Sequence, residues 1–220
     1  MPSLTAIMKI VSARLHASVY RLEDLPQDEK PEIVFLGRSN VGKSSVINSL
    51  LRMRHLARIS STPGRTRGVY FYAINERFYF VDLPGYGYAE VPRSLRRAWQ
   101  RLIEGYLENR PQICLSLLIV DARHEPTPLD LQMREWLEAH RRPYVILLTK
   151  ADKLSASEVK CSVERAARVF PMVTVIPYSA RTGLGREQVW REIEKALACP
   201  ASRSVVARSR ARDGEREDRL

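Results

Sequence analysis

The residues most capable of chemistry lie in one short segment, Gly37-Arg38-Ser39-Asn40-Val41-Gly42-Lys43-Ser44. Its spacing matches G-x-x-x-x-G-K-S, in which glycines let successive backbone N–H groups curve around phosphate oxygens. The lysine of this motif neutralises the outer phosphates, and the serine hydroxyl binds magnesium. An apolar run precedes the segment and an amphipathic stretch follows it, as the motif requires. The sequence therefore predicts a nucleotide phosphate site formed by these residues and Ser45.

Two further segments predict the magnesium side of this site. Asp82-Leu83-Pro84-Gly85 follows an apolar run, so its carboxylate can reach magnesium through water and the Gly85 N–H can contact a γ-phosphate. The polar segment 61–66 can bring a hydroxyl to the metal only when a γ-phosphate is present. We expect Thr66 to supply that hydroxyl and Gly64 to lie beside the nucleotide, with Thr62 as the competing ligand. The expected magnesium ligands are Ser44, Thr66 and Asp82.

A third set of residues predicts which base is bound. Thr149-Lys150-Ala151-Asp152 follows another apolar run, and a carboxylate at Asp152 can accept hydrogen bonds from the ring N–H and the exocyclic amine of guanine. Adenine offers no such pair of donors on that edge, and an unpaired buried carboxylate is costly, so discrimination can be large. Lys150 would lie along the base, and the backbone of Ser179-Ala180 would contact the guanine carbonyl. The expected ligands are GTP and GDP.

The surrounding pattern predicts the elements that hold these segments. Short apolar runs alternate with amphipathic stretches, which indicates an α/β fold with a largely parallel sheet and helices on both faces. Runs 69–74 and 78–81, joined by Asn75-Glu76, instead indicate one antiparallel hairpin. We expect six strands in three layers, with one strand antiparallel, and a further strand near 10–14 as an option. The remaining strands are predicted at 33–36, 115–120, 144–148 and 173–177, and helices at 44–53, 93–108, 129–140, 157–170 and 186–198, with Thr127 and Ser157 as N-caps.

Five sequence words together resemble the EngB/YihA/YsxC family of small bacterial GTPases, over about residues 31–197. The words are GRSNVGKSS, SSTPGRT, DLPGYGYA, LLTKADKL and YSARTGLG. The resemblance implies a P-loop GTPase that hydrolyses GTP as a conformational switch while the large ribosomal subunit is assembled, with rRNA and the precursor particle as partners. The family is also linked to cell division. A GTP-gated binding module with negligible hydrolysis, acting in septation, is the alternative.

One position in the DLPGYGYA word bears on the rate of hydrolysis. Many GTPases carry a glutamine that orients the attacking water directly after the D-x-x-G glycine, and Tyr86 stands there in this chain. Slow intrinsic hydrolysis is therefore expected. Relatives with asparagine at the position of Asn40 use it to hold potassium, so Asn40 and Lys43 are candidates for stabilising transition-state charge. Two other readings stay open: the ribosomal particle completes the site, or Asn40 only hydrogen-bonds within its loop.

The charge of the chain points to a polyanionic partner. The 220 residues carry a formal net charge of +11, and residues 52–101 contain ten arginines against three acidic residues. This surface would bind RNA phosphates, although a solvated basic surface without a ligand has the same composition. The arginines expected around the nucleotide loops are Arg52, Arg54, Arg58, Arg65, Arg67, Arg93, Arg96, Arg97 and Arg101.

Domain organisation and location follow from the remaining composition. We expect an N-terminal extension over 1–30, one GTP-binding domain over 31–198 and a disordered charged tail over 199–220. No apolar run reaches the roughly 20 residues of a membrane span, and the N-terminus has no export signal. Three separated cysteines, Cys114, Cys161 and Cys199, indicate reduced thiols. The expectation is a cytoplasmic monomer that does not bind membranes.

Overall fold

The computed structural model describes residues 8–57, 68–86 and 93–199, with the backbone alone over 93–100. Within these residues the chain forms seven strands, five α-helices and two short 3-10 helices, Leu22–Asp24 and Ala151–Lys153. The strands are β1 Ala13–Val19, β2 Glu32–Gly37, β3 Val69–Ile74, β4 Phe78–Asp82, β5 Ile113–Asp121, β6 Tyr144–Thr149 and β7 Val175–Pro177. The helices are α1 Lys43–Leu51, α2 Arg93–Asn109, α3 Pro128–Ala139, α4 Ala156–Val169 and α5 Arg186–Ala198.

All seven strands form one sheet in the order β1-β3-β4-β2-β5-β6-β7. β3 pairs antiparallel with β1 and β4, and the other neighbours are parallel, so β3 alone runs against the rest. The predicted α/β architecture with one reversed strand is confirmed. The sheet has seven strands rather than six because the optional N-terminal strand forms, at 13–19 instead of 10–14.

The predicted β3–β4 hairpin is confirmed, and its turn also anchors the N-terminal segment. Asn75 and Glu76 have φ angles of 50° and 53°, as the two central residues of a type I′ turn require. The Asn75 side-chain oxygen accepts from the backbone N–H of Val11 at 2.7 Å and of Ser12 at 3.1 Å. Its amide group donates to the Lys9 carbonyl at 2.8 Å. The segment before β1 is thereby held at the end of the hairpin.

Helix boundaries agree with the predicted ones to within two residues, but one N-cap is different. Thr127 precedes α3 as expected, with proline in the first turn. The N-cap of α4 is Ser155 and not Ser157: the Ser155 hydroxyl accepts from the Glu158 N–H, and the Glu158 carboxylate accepts from the Ser155 N–H at 2.7 Å. This reciprocal pair satisfies two backbone donors, which makes Ser155 the better cap.

Apolar side chains cover both faces of the sheet. On one face, Phe35 and Phe80 pack against α1 and α5, including Ile47 and Trp190. On the other face, strand residues such as Val81 pack against α2, α3 and α4. Burial of both faces explains why the central strands are continuous apolar runs rather than alternating ones.

Parallel strands bring their carboxyl ends to one edge of the sheet, and the candidate site lies along that edge. β2, β4, β5 and β6 end there at Gly37, Asp82, Asp121 and Thr149. Among the helices of the described residues, none combines the length and the apolar character needed to cross a bilayer. The predicted disordered tail lies outside the described residues from position 200 onward.

Candidate functional site

The loop between β2 and α1 has the backbone geometry of a phosphate cradle. Gly37 has a φ of 151°, and a Cβ there would lie 2.7 Å from the Ile119 carbonyl oxygen and 2.9 Å from Val41. Gly42 has a φ of 110° and immediately precedes α1, whose first turn no described side chain caps. Helix N-terminal N–H groups without an internal partner favour anions. The loop and the helix start therefore offer donors to one phosphate-sized space.

Lys43 is held over this loop by the loop itself. Its side-chain nitrogen donates to the carbonyl oxygens of Gly37 at 3.3 Å and Arg38 at 3.4 Å. The residue is only 7% exposed. Burial lowers the pKa of the Lys43 ammonium, and the nearby Asp82 carboxylate opposes that shift. The predicted position for neutralising phosphate charge is thus occupied by a preorganised, poorly hydrated cation.

Ser44 and Asp82 meet beside Lys43, and their chemistry fits magnesium. The Ser44 hydroxyl donates to Asp82 Oδ2 at 3.1 Å, while the buried Asp82 Oδ1 has no hydrogen-bond partner among the described residues. Burial raises the pKa of Asp82, with Lys43 and Ser44 acting in the opposite direction. A buried carboxylate oxygen without a partner costs free energy unless a cation binds it, and magnesium prefers such oxygen ligands. The predicted Thr66 and Gly64 lie outside the described residues.

The segment after β4 lies directly on the phosphate loop. The Ser39 N–H donates to the Tyr86 carbonyl oxygen at 3.0 Å. A Cβ on Gly85 would lie 2.7 Å from the Ser39 backbone nitrogen and 2.9 Å from the Lys43 ammonium, so only glycine fits. The Tyr86 hydroxyl donates to Asp130 of α3 at 2.9 Å. The side chain at the glutamine position is therefore bound to α3.

Thr149 and Lys150 join the base-reading segment to the phosphate loop. The Thr149 hydroxyl lies 2.8 Å from the Val41 carbonyl oxygen and 3.1 Å from that of Val120. The Lys150 side-chain nitrogen donates to the Asn40 carbonyl oxygen at 3.0 Å. These contacts fix the distance between the two halves of the predicted nucleotide site.

Asp121 belongs to this junction, although the sequence analysis did not select it. Asp121 Oδ2 lies 2.9 Å from the Lys150 nitrogen, and the Arg123 guanidinium binds both carboxylate oxygens at 2.8 and 2.9 Å. Burial alone would raise the pKa of Asp121, but hydrogen bonds from Arg123 and Lys150 outweigh it and hold the pKa well below its usual range. Its place at the carboxyl end of a central parallel strand was the available signal.

Asp152 and Ser179, both expected to contact a guanine, are far apart in sequence but are hydrogen-bonded to each other in the structure. The Ser179 hydroxyl donates to Asp152 Oδ1 at 2.7 Å and accepts from the N–H groups of Arg181 at 3.2 Å and Thr182 at 3.1 Å. Ser179 is fully buried, and Ala180 follows it beside the core. This network orients the Asp152 carboxylate, the group expected to accept hydrogen bonds from guanine.

Comparisons with known proteins agree with this geometry. A family profile described as a 50S ribosome-binding GTPase matches residues 32–150. A probable GTP-binding protein EngB from Prosthecochloris aestuarii is 47% identical over 189 residues, covering 85% of this chain and 98% of the relative. The chain belongs to the EngB family of GTP-binding proteins. The homologue from Halothermothrix orenii is also 47% identical, over 84% of this chain and 96% of its own length. As a member of this GTPase family, this EngB chain binds and hydrolyses GTP.

Solved structures agree on the fold. A crystal structure of a probable GTP-binding protein EngB superposes with a TM-score of 0.63 at 24% identity, covering 76% of this chain and 98% of the other. Era, solved with MgGDPNP and nucleotides 1506–1542 of 16S ribosomal RNA, gives a TM-score of 0.64 at 23% identity, covering 76% of this chain and 56% of Era. Both place this EngB chain in the P-loop GTPase fold.

The predicted arginine surface is only partly within the described side chains. Arg52 and Arg54 are exposed just beyond the end of α1. Since α1 has nine residues, Arg52 at its C-cap lies about 13 Å along the helix axis from Lys43 rather than beside the phosphate loop. Arg101 is also exposed. Arg58, Arg65 and Arg67 lie outside the described residues, and Arg93, Arg96 and Arg97 are described by backbone alone.

Proposed function

We propose that this protein hydrolyses GTP to GDP and phosphate as a conformational switch in assembly of the large ribosomal subunit. The observation that carries the proposal is the match of residues 32–150 to a profile named for GTPases that bind the 50S ribosome. The net charge of +11 supports it, because rRNA is a polyanion. The protein would act in the cytoplasm as a monomer, away from membranes.

Co-sedimentation with large-subunit precursors tests this role. With the GTP-bound protein we expect pelleting that weakens steeply as salt rises, and much weaker pelleting with GDP. Reversing the charge of Arg52 and Arg54 to glutamate should weaken binding and reduce the dependence on salt, by up to about two in the log–log slope. Lys160 and Arg168, exposed on α4, provide a matched charge reversal that should have little effect. Equal binding of the GTP-bound and GDP-bound protein would contradict the proposed role as a conformational switch.

The site also supports magnesium as cofactor. Ser44 and Asp82, together with Thr66, would hold the ion, and the observation that favours it is that no described residue bonds Asp82 Oδ1. Magnesium at such a site supplies positive charge that neutralises the outer phosphates. Lys43 contributes a second, fixed charge, and the Gly85 N–H a hydrogen bond, so the protein's own groups orient the γ-phosphate.

Potassium is proposed as an activator that interacts with Asn40. This residue is exposed and has a φ of 61°, and its carbonyl is fixed by Lys150, so its position on the loop is well defined. A potassium ion there would act as a fixed charge on the transition state. Hydrolysis should be faster in potassium than in sodium chloride at equal ionic strength, and Asn40→Ala should remove the difference. Equal hydrolysis rates in potassium and sodium chloride, both without and with large subunits, would leave no role for potassium.

A slow basal rate is expected because Tyr86 is bound to Asp130 and cannot act as the amide of a glutamine does. The alternative is a GTP-gated module with negligible hydrolysis that acts in septation. Single-turnover kinetics separate the two: hydrolysis that rises when large-subunit particles are added favours the switch, and hydrolysis that stays near zero with particles and with potassium favours the module.

A further inference from the structure

The segment 83–86 lies directly against the phosphate loop and the Lys43 side chain. A Cβ on Gly85 would lie 2.9 Å from the Lys43 ammonium, so the glycine and the cation are nearly in contact. A γ-phosphate oxygen takes hydrogen bonds from the P-loop lysine and from the D-x-x-G glycine, each at about 2.8 Å. The Tyr86 carbonyl oxygen accepts from the Ser39 N–H, so in this arrangement that donor of the phosphate loop is not available to a γ-phosphate. Binding of GTP through this donor therefore requires the segment to move away from the phosphate loop, and binding of GDP, which has no γ-phosphate, does not.

Two contacts hold the segment in this position. The first is the bond from the Ser39 N–H to the Tyr86 carbonyl oxygen at 3.0 Å. The second is the bond from the Tyr86 hydroxyl to Asp130 Oδ1 at 2.9 Å. The Tyr86 ring also packs on the core layer that contains Leu83. The hydroxyl contact joins the segment to α3, an element that lies outside the phosphate loop.

The surroundings of Asp130 position its carboxylate to accept this hydrogen bond. It is 2% exposed, and its second oxygen, Oδ2, accepts from the Thr127 N–H at 2.9 Å and the Thr127 hydroxyl at 2.7 Å. Its place in the first turn of α3 favours negative charge. Burial and the Asp130 carboxylate raise the pKa of Tyr86 well above its ordinary value, so the hydroxyl remains a donor. Without it, Asp130 Oδ1 would lose its hydrogen bond from Tyr86 in a buried site.

We propose that Tyr86 is a positioning residue that, through Asp130, holds segment 83–86 on the phosphate loop and so shifts nucleotide preference toward GDP. The proposal rests on nucleotide binding at this loop and is independent of the ribosomal role. A contact made only in one conformation changes ligand preference by the free energy that it contributes to that conformation. Tyr86 thus opposes entry of the γ-phosphate until another interaction offsets the bond.

The test is Tyr86→Phe in the full chain, with calorimetric titration of GDP and of a non-hydrolysable GTP analogue in magnesium buffer. Removing a hydrogen bond to a buried carboxylate should raise the affinity for the analogue relative to GDP by about 5- to 10-fold. A role limited to folding would change both affinities by one factor and leave their ratio unaltered. The ratio therefore isolates positioning from stability.

Tyr144→Phe is the matched control. Its hydroxyl donates to Glu138 of the same helix α3 at 2.7 Å, so the substitution removes the same kind of bond away from the site. The ratio in this variant should stay within about twofold of the parent. Asp130→Asn should shift the ratio in the same direction as Tyr86→Phe, and the double variant should add little, because both changes remove one contact.

Three outcomes would overturn the proposal. The first is an unchanged affinity ratio in a folded Tyr86→Phe protein. The second is a shift toward GDP, which would mean that the bond favours the GTP-bound conformation. The third is full additivity of Tyr86→Phe and Asp130→Asn, which would mean that the two side chains act separately. None of these results depends on whether the protein binds ribosomal particles.

Discussion

Two buried carboxylates at opposite edges of the sheet differ in how many hydrogen-bond partners their oxygens have. Glu32 begins β2 and is 0% exposed, and Asp82 ends the neighbouring parallel strand β4 and is 3% exposed. Glu32 Oε1 accepts from Arg110 Nε at 2.8 Å, and Oε2 accepts from the Tyr106 hydroxyl at 2.6 Å. Asp82 has one hydroxyl on Oδ2 and no described partner on Oδ1. One oxygen of Asp82 thus has no partner among the described residues, whereas both oxygens of Glu32 have one.

The Glu32 cluster, which consists of Glu32, Tyr106, Arg110 and Arg142, connects several elements of the fold. Arg110 Nη2 also lies 2.7 Å from Glu32 Oε1, off the ideal hydrogen-bond direction. Arg142, just before β6, donates to the carbonyl oxygens of Arg110 at 3.1 Å and Glu108 at 2.8 Å. These contacts link the end of α2 to the start of β2 and β6. The Glu32 cluster is therefore a structural anchor, whereas Asp82 is a carboxylate kept available for a ligand.

The largest expected effect is a loss of stability when the Glu32 cluster is changed. Glu32→Gln leaves the buried Arg110 guanidinium without its counter-charge, so the free energy of unfolding should fall by about 3–5 kcal/mol. Urea denaturation at neutral pH measures this loss. The affinity of the folded protein for GDP should stay unchanged, because the cluster lies at the other edge of the sheet.

Glu76→Gln is the matched control for Glu32. Glu76 also accepts a two-pronged contact from an arginine, Arg14, at 2.9 and 3.2 Å, but both side chains are exposed. Water screens this pair, so the denaturation curve should hardly move. If Glu32→Gln were as mild as Glu76→Gln, burial would not be what distinguishes the two carboxylates.

The next largest effect is expected for Asp82, where substitution should lower activity but raise stability, in contrast to Glu32. Asp82→Asn should lower kcat/KM for GTP by about 100-fold, equal to about 2.7 kcal/mol, because the amide cannot supply the carboxylate charge proposed to hold magnesium. Without magnesium and nucleotide, the same change should raise the free energy of unfolding by about 1 kcal/mol, because the burial that raises the pKa of Asp82 outweighs the attraction of Lys43 and the Ser44 hydrogen bond. Hydrolysis assays and urea denaturation with a chelator measure the two effects.

The pH dependence checks the sign of the Asp82 effect. Burial raises the pKa of Asp82, so the folded state binds this proton more tightly than the unfolded chain does. The stabilising contribution is therefore complete below the unfolded pKa of about 3.9 and is lost as pH rises through the folded pKa. The stability gain of Asp82→Asn should be small near that lower limit and largest at neutral pH. A gain that shrinks toward neutral pH would contradict the assignment.

The sequence predicted the parts of the site whose signal is local. The phosphate loop, the Asp82 segment and Thr149-Lys150-Ala151-Asp152 are contiguous motifs, and the structure places their described residues together. Asp121 and Asp130 were missed because their roles depend on contacts with residues distant in the chain, Lys150 and Tyr86. The seventh strand was uncertain for the same reason: β1 gains its hydrogen bonds from β3, at least fifty residues later. Whether such a strand forms depends more on its tertiary contacts than on the intrinsic β-propensity of its residues.

The smallest expected effect concerns Ser155, where a local signal was available but was assigned to Ser157. Ser155 directly precedes α4 and Ser157 lies in its first turn, and only Ser155 stands three residues before Glu158, the spacing of a capping box. Ser155→Ala should lower the free energy of unfolding by about 1 kcal/mol and leave GTP hydrolysis unchanged, since the lost bonds are to Ser157 and Glu158 in the first turn of α4. Ser157→Ala, in the first turn, should change stability by less than about 0.5 kcal/mol. Thermal unfolding of both variants measures the difference, and a larger loss for Ser157→Ala would return the cap to that residue. A loss of hydrolysis in Ser155→Ala would show that polar groups at this edge of the sheet serve the nucleotide more widely than the contrast between Glu32 and Asp82 implies.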